Sequence, residues 1–281
     1  TLGMTDLPLL SEPNLQQQLV EIGYQGKKLE ELESLSTAEK ANMLFIVQDP
    51  YTSYYDAKVV RDFVALTQKL GFEPIILPFK PNGKAMHIKG FLARFSKTAK
   101  TQAEFLNRVA KLNVPLVGVD PAIVLSYRDE YKEALGDSRG DFHVLTAHEW
   151  LTNQLESNAL QSAVKNIAKS DHTFEWHLFP HCTESTFMPN SPKEWQHIFA
   201  QFGQTLKVEK VGCCGMAGVF GHEVQNQTMS KDIYDVSWGK KLQGKDPNHC
   251  LATGYSCRSQ VKRYEKASLK HPVQALLEVL N

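Results

Sequence analysis

The sequence predicts an α/β protein built from two pseudo-repeated halves, each a parallel sheet flanked by helices. Two observations lead there. Short apolar runs such as Met43-Leu44-Phe45-Ile46-Val47 are continuous rather than alternating, as in strands covered on both faces. Amphipathic segments of helical length separate them, and this strand–helix rhythm occurs on both sides of residue 138. What repeats is the architecture; identity between the halves is weak.

Taken in order, residues 1–40 are polar and weakly helical and read as lead-in helices or a linker. Residues 41–138 form the first half. The run 43–47 is its first strand. A helix over 56–70 places Val59, Val60, Phe63, Val64 and Leu70 on one face, and Gly71 caps it. A second strand at 74–78, a helix over about 90–112, a third strand at 115–119 and a helix over 121–135 follow. Residues 139–281 form the second half. Its strands are expected at 142–145, 174–179, 208–211 and 250–253. Its helices are expected at 147–155, 160–168, 192–203, 222–242, 258–265 and 272–280.

Composition narrows the function. The chain has 281 residues, 42% of them apolar, with 31 basic and 31 acidic side chains balancing to zero. That balance gives no long-range attraction to nucleic acid or an anionic membrane. No apolar stretch is long enough to span a bilayer, and Thr1-Leu2-Gly3-Met4 does not open a signal peptide. A cytoplasmic setting follows, at most peripheral to the inner membrane face. Five cysteines, an odd number, lie in the last hundred residues, and two are adjacent. That pattern favours reduced thiols with metal or redox chemistry over a disulfide framework.

Cys182, Cys213 and Cys257 each fall just past the end of an expected strand. In parallel sheets, ligands gather beyond those carboxyl ends. With Cys214 they supply four thiolates, the usual complement for one cubane iron–sulfur cluster. Cys250 sits within a strand and reads as a buried apolar residue. Gly212 and Gly215 flank the vicinal pair, and glycine allows the turn and the close backbone approach a cofactor needs. Zinc is the rival ion, because His181, His222 and His249 lie near the thiols. His181, beside Cys182, is expected to orient or hydrogen-bond a ligand rather than bind the metal. Arg258, Gln260 and Lys262 follow Cys257 along one helix, and Arg258 is expected to face the cofactor. The glycines at 212–218 lack the dinucleotide-binding spacing. Gly254-Tyr255-Ser256-Cys257-Arg258 is not a nucleophile elbow, and neither His148-Glu149 nor His222-Glu223 has the second histidine of a zincin.

At these residues the sequence resembles a known family. The Cys…Cys-Cys-Gly…Cys arrangement is similar to the cysteine-rich CCG domain of heterodisulfide reductase, anaerobic glycerol-3-phosphate dehydrogenase and glycolate or lactate oxidase subunits. More closely it resembles the C-terminal region of large FAD-linked dehydrogenases of the D-2-hydroxyglutarate and D-lactate type. The carrying motifs are Pro180-His181-Cys182, the run from Gly212 to Gly221, the run from Ala252 to Gln260, and His271-Pro272. The first half matches more loosely, through Asp49-Pro50-Tyr51, the run from Pro78 to Lys84, and Val119-Asp120-Pro121.

The resemblance implies part of a cytoplasmic oxidoreductase, a flavoprotein that oxidises a 2-hydroxyacid. Its region here would bind a [4Fe–4S] cluster through Cys182, Cys213, Cys214 and Cys257 and serve electron transfer. FAD and a ferredoxin-like segment would belong to other domains of the same polypeptide or complex. On that reading the chain, which starts at Thr1, is a C-terminal fragment. Two departures stand out: the first half has no cysteine, and Gly254 replaces the first cysteine of the wider family's Cys-x-x-Cys pair. A structural or substrate-orienting zinc site and a metal-free interaction module are the alternatives.

Overall fold

The computed structural model describes residues 3–157, 159–160 and 174–281. The helix expected at 160–168 lies largely outside the described residues. The chain divides into two compact units, residues 11–154 and residues 1–10 with 155–281.

In the unit of residues 11–154, four strands form one parallel sheet in the order β2-β1-β3-β4: β1 Met43–Ile46, β2 Glu73–Ile76, β3 Leu116–Gly118 and β4 Val144–Thr146. All four residues of β1 are buried, as its unbroken apolar run requires for a central strand covered on both faces. The helices Ala57–Lys69 and Leu92–Ala110 cross between strands and turn Val59, Val60, Phe63, Phe95, Ala99 and Leu106 into the core. The expected helix over 121–135 is two helices, Pro121–Arg128 and Glu130–Leu135, broken at Asp129.

Two boundaries differ from expectation. The strand assigned to the start of the second half is β4, which pairs with β3 and completes the first sheet. Its partner in space, not its place in the apparent repeat, decides its membership. Residues 11–40 are also not merely a lead-in. Leu15, Leu19 and Leu32 are buried, and the Tyr24 hydroxyl accepts the Ile76 N–H at 3.0 Å. Residues 3–10 instead join the other unit, where Met4 bridges Glu223 and the Thr5 N–H donates to the His222 carbonyl at 2.8 Å.

The second unit holds a three-stranded parallel sheet in the order β6-β5-β7: β5 Glu175–Phe179, β6 Thr205–Val208 and β7 Cys250–Ala252. β6 ends at Val208, where the sequence reading begins its strand. It is an edge strand, and its exposed Lys207 beside buried Leu206 gives an alternating pattern that the apolar search passed over. The stretch 222–242 is not one helix. It runs through short 3-10 turns, the helix Gln227–Tyr234, a π-type turn Asp235–Gly239 and Lys240–Leu242. Trp238 from the π-type turn is fully buried against Phe179, with ring centroids 5.2 Å apart.

Candidate thiol site

Three strand ends converge on one place in the second unit. β5 leads through Pro180 and His181 into the helix Cys182–Phe187, so Cys182 opens that helix. β7 leads into the helix Tyr255–Glu265, whose first turn carries Cys257. The loop after β6 carries Cys213 and Cys214. Cys182 and Cys213 are partly exposed, while Cys214 and Cys257 are buried. One edge of the group therefore meets solvent.

The thiols interact with one another. Cys213 accepts hydrogen bonds from the Cys182 and Cys214 thiols, and these hold it down to about 2. The Gly215 N–H, 3.3 Å from Cys213 Sγ, reinforces the effect. The cost falls on the neighbours. Cys182 is pushed far up, first by its hydrogen bond to Cys213 and then by burial. Cys214, which contacts both Cys213 and Cys257, is pushed up as well. These hydrogen bonds favour the thiolate on Cys213 and the thiol on its two neighbours. Among the described residues no three His, Cys, Asp or Glu side chains form a ready cage for a single ion. The donor set nevertheless fits an iron–sulfur cluster: soft sulfur from separate loops, with backbone N–H groups turned toward it.

The loop after β6 is shaped by its glycines and by the helix it packs on. Gly215 has φ +84°, and a Cβ there would stand 2.2 Å from the Ser230 carbonyl oxygen, so a side chain is excluded. The Ser230 hydroxyl donates to the Gly215 carbonyl at 2.8 Å and accepts from Gln260 Nε2 at 2.8 Å. The Gly212 N–H donates to Ser237 Oγ at 2.7 Å, and its carbonyl accepts from the Trp238 indole at 3.1 Å. The vicinal cysteines are thus fixed from both flanks.

His181 braces two of the three loops. Its Nδ1 accepts the Thr183 N–H at 3.2 Å and caps the Cys182 helix. That acceptor role places the ring proton on Nε2, which lies 3.2 Å from Ser256 Oγ. Its own N–H donates to Thr253 Oγ1 at 2.9 Å. The ring rests on Gly254, where a Cβ would come within 2.2 Å of His181 Cδ2. Imidazole therefore fills the space that a side chain at position 254 would need.

Arg258 is buried, and its Nη1 donates to the Ala252 and Thr253 carbonyls at 2.9 and 3.1 Å, tying the Cys257 helix to the end of β7. Cys250 lies in the core, and burial raises its thiol to about 11. His222 pairs with Asp6 at 2.8 Å, and the His249 ring stacks on Phe174, which accounts for both without a metal. Sequence reasoning missed Glu184, which is buried and takes hydrogen bonds from the Ser191 and Thr253 hydroxyls. A carboxylate two residues after Cys182 looks like ordinary helix surface until Thr253 is known to face it.

Fold and donor set define a thiol-centred module on a parallel α/β scaffold, and the chain's relatives are dehydrogenases. It is 82% identical over 280 residues to the D-2-hydroxyglutarate dehydrogenase of Haemophilus influenzae, 57% over 279 residues to that of Escherichia coli, and 38% over 276 residues to that of Pseudomonas putida. These matches cover 98 to 100% of the chain but only 26 to 27% of each enzyme. The chain is thus homologous along its length to one region of D-2-hydroxyglutarate dehydrogenases, as the cysteine motifs led us to expect. A more distant match, 22% identical over 241 residues, is a subunit of the anaerobic glycerol-3-phosphate dehydrogenase of Escherichia coli, covering 82% of this chain and 57% of that protein. No family model matches. Among the described residues, no helix is long and apolar enough to cross a membrane.

Proposed function

We propose that this chain is the C-terminal, electron-relaying region of a FAD-linked D-2-hydroxyacid dehydrogenase of the D-2-hydroxyglutarate type. Cys182, Cys213, Cys214 and Cys257 are the ligands of a [4Fe–4S] cluster. The observation that supports this most is the meeting of four thiols from three strand-end loops. When bound, the cluster supplies one-electron transfer between the flavin and an acceptor. The chain's own residues prepare its seat. Gly215 turns its N–H toward Cys213 Sγ, Gly212 is anchored by Ser237 and Trp238, and His181 and Arg258 fix the loops of Cys182 and Cys257. The partly exposed edge at Cys182 and Cys213 is where electrons would enter or leave. The flavin and ferredoxin-like domains are then partners within the same polypeptide or complex, in a cytoplasmic enzyme at most peripheral to the inner membrane face.

The test is anaerobic iron and sulfide analysis of the full-length enzyme beside its Cys213→Ser variant. We expect the wild type to exceed the variant by about four iron and four sulfide per chain, with loss of part of the visible absorbance. A difference of one zinc and no sulfide would identify a structural zinc site. No difference in any metal would leave a packing module.

A further inference from the structure

The zero net charge of the chain hides an uneven distribution. Residues 80–111 hold eight lysines and arginines against one acid, Glu104, a local excess of seven (eight minus one) in a chain whose 31 basic and 31 acidic residues cancel. The excess gathers on one flank of the helix Leu92–Ala110. At about 100° per residue, Arg94, Lys97, Lys100, Arg108 and the capping Lys111 fall within about 120° of its circumference. All five are exposed, while Phe95, Ala99, Ala103 and Leu106 face the core on the other side. From the neighbouring helix, Glu130 is taken by Lys84. Arg94, Lys97 and Lys100 make no ion pair among the described residues.

The same helix begins at an apolar tip that faces water. Every residue of the run 88–94, Ile-Lys-Gly-Phe-Leu-Ala-Arg, is exposed. Ile88 is 41%, Phe91 55% and Leu92 58% exposed. The tip is held in place by its backbone. The Gly90 N–H donates to the His87 carbonyl and the Phe91 N–H to the Met86 carbonyl, both at 2.9 Å. Gly90 supplies the positive φ, +75°, that such a turn needs. His87 packs on buried Phe95, with ring centroids 4.8 Å apart. The Arg94 guanidinium lies 5.8 Å from the centre of the Phe91 ring. A fixed turn that shows three large apolar side chains to water beside a basic flank marks an interaction surface.

We propose that residues 88–111 form a docking face for an anionic lipid bilayer. Ile88, Phe91 and Leu92 enter the headgroup region, and Arg94, Lys97 and Lys100 meet the lipid phosphates. The charge selects a negative surface, and the composition selects lipid over protein. Lysine is depleted in protein–protein interfaces, where its ammonium would have to be dried. At a bilayer its methylene stem lies along apolar surface while the ammonium stays wet. The attraction acts within a Debye length, about 8 Å at physiological salt, so a chain of zero net charge can still dock by this face. No ligand at the thiols takes part, so lipid binding and metal content can fail independently.

The experiment is sedimentation of the full-length enzyme with vesicles of phosphatidylglycerol mixed with phosphatidylcholine, and with vesicles of phosphatidylcholine alone. Two variants accompany the wild type, Arg94→Glu/Lys97→Glu/Lys100→Glu and Phe91→Ser/Leu92→Ser. All these positions are exposed, and circular dichroism checks the fold. We expect the wild type to bind the phosphatidylglycerol vesicles and not the neutral ones, less so as NaCl is raised. The charge variant should lose on the order of a hundredfold in partitioning, and the apolar variant several-fold. Should the triple variant not fold, Lys97→Glu and Lys100→Glu singly carry the test, each with a several-fold loss. No binding of the wild type to phosphatidylglycerol vesicles, or equal binding by the charge variants, would overturn the proposal. Retention of the wild type but not the charge variant on immobilised polyglutamate, without vesicle binding, would assign the face to an acidic protein instead.

Discussion

Cys213 is the residue on which the chemistry of the thiol group turns. Two thiols and a backbone N–H donate to its sulfur, so its thiolate persists far below the ordinary thiol range. Cys182 is also partly exposed but is the donor, and its hydrogen bond to Cys213 and then burial favour the protonated thiol. In metal-stripped enzyme at pH 6, iodoacetamide should therefore label Cys213 first, Cys182 much more slowly and core Cys250 not at all. Peptide mass spectrometry reads this directly, and preferential labelling of Cys182 would reverse the assigned donor and acceptor. Gly254 offers a second residue-scale prediction. A Cβ there overlaps His181 Cδ2, so Gly254→Ala must push the imidazole from between the two loops. We expect Gly254→Ala to destabilise the site by roughly 1–3 kcal/mol, typical of overpacking. Adding His181→Ala should relieve the clash, so the double variant should retain more metal than Gly254→Ala alone.

At the scale of elements, strand ends and helix starts do most of the positioning. The helix Pro272–Val279 shows how. His271 Nδ1 accepts the Val273 N–H at 3.2 Å, and the His271 N–H donates to Gln274 Oε1 at 2.8 Å, so cap and third residue satisfy each other. Replacing His271 with Ala removes the side-chain half of that arrangement and should cost about 1 kcal/mol. Amide exchange in this helix should speed up about fivefold, with exchange in the helix Ala57–Lys69 unchanged. Apolar periodicity located Ala57–Lys69, Leu92–Ala110 and Ser191–Gln201 in the sequence to within a few residues, because each turns one continuous face to a core. It failed over 222–242, where the chain follows the cysteine loop rather than its own preference. There the Ser230 and Ser237 side chains hold the cysteine loop while Tyr234, Trp238 and Leu242 turn into the core.

For the whole molecule, the buried acid pair makes stability depend on pH. Burial, and then the charge of Asp120, raise Asp49 from 3.8 to about 6. Between those values the folded state holds more protons than the unfolded chain, so this group's contribution falls as pH rises and is fully unfavourable above pH 6. Asp49→Asn should therefore stabilise the unit of residues 11–154 at pH 8. The gain has an upper bound of about 3 kcal/mol, and it should vanish near pH 4. Slower amide exchange along β1 and β3 at pH 8 is the expected signature; faster exchange would mean that Asp49 is stabilising when ionised.

The sequence by itself determined the parallel α/β class and the thiol ligand candidates. Both are written in local patterns: continuous apolar runs, helical stripes, and cysteines beside glycines at the ends of those runs. The motif match to dehydrogenases was legible for the same reason. What only the tertiary structure decided depends on partners distant in sequence. β4 joined the first sheet because Leu116 and Gly118 pair with Val144 and Thr146. Glu184 became a buried brace because Thr253 stands across from it. Asp49 and Asp120, each a common cap in its own loop, became a pair only when strand register placed them side by side. Local propensity fixes where elements form, whereas the pairing of distant segments fixes which side chains share a buried space, and the chemistry of both clusters depends on that second choice.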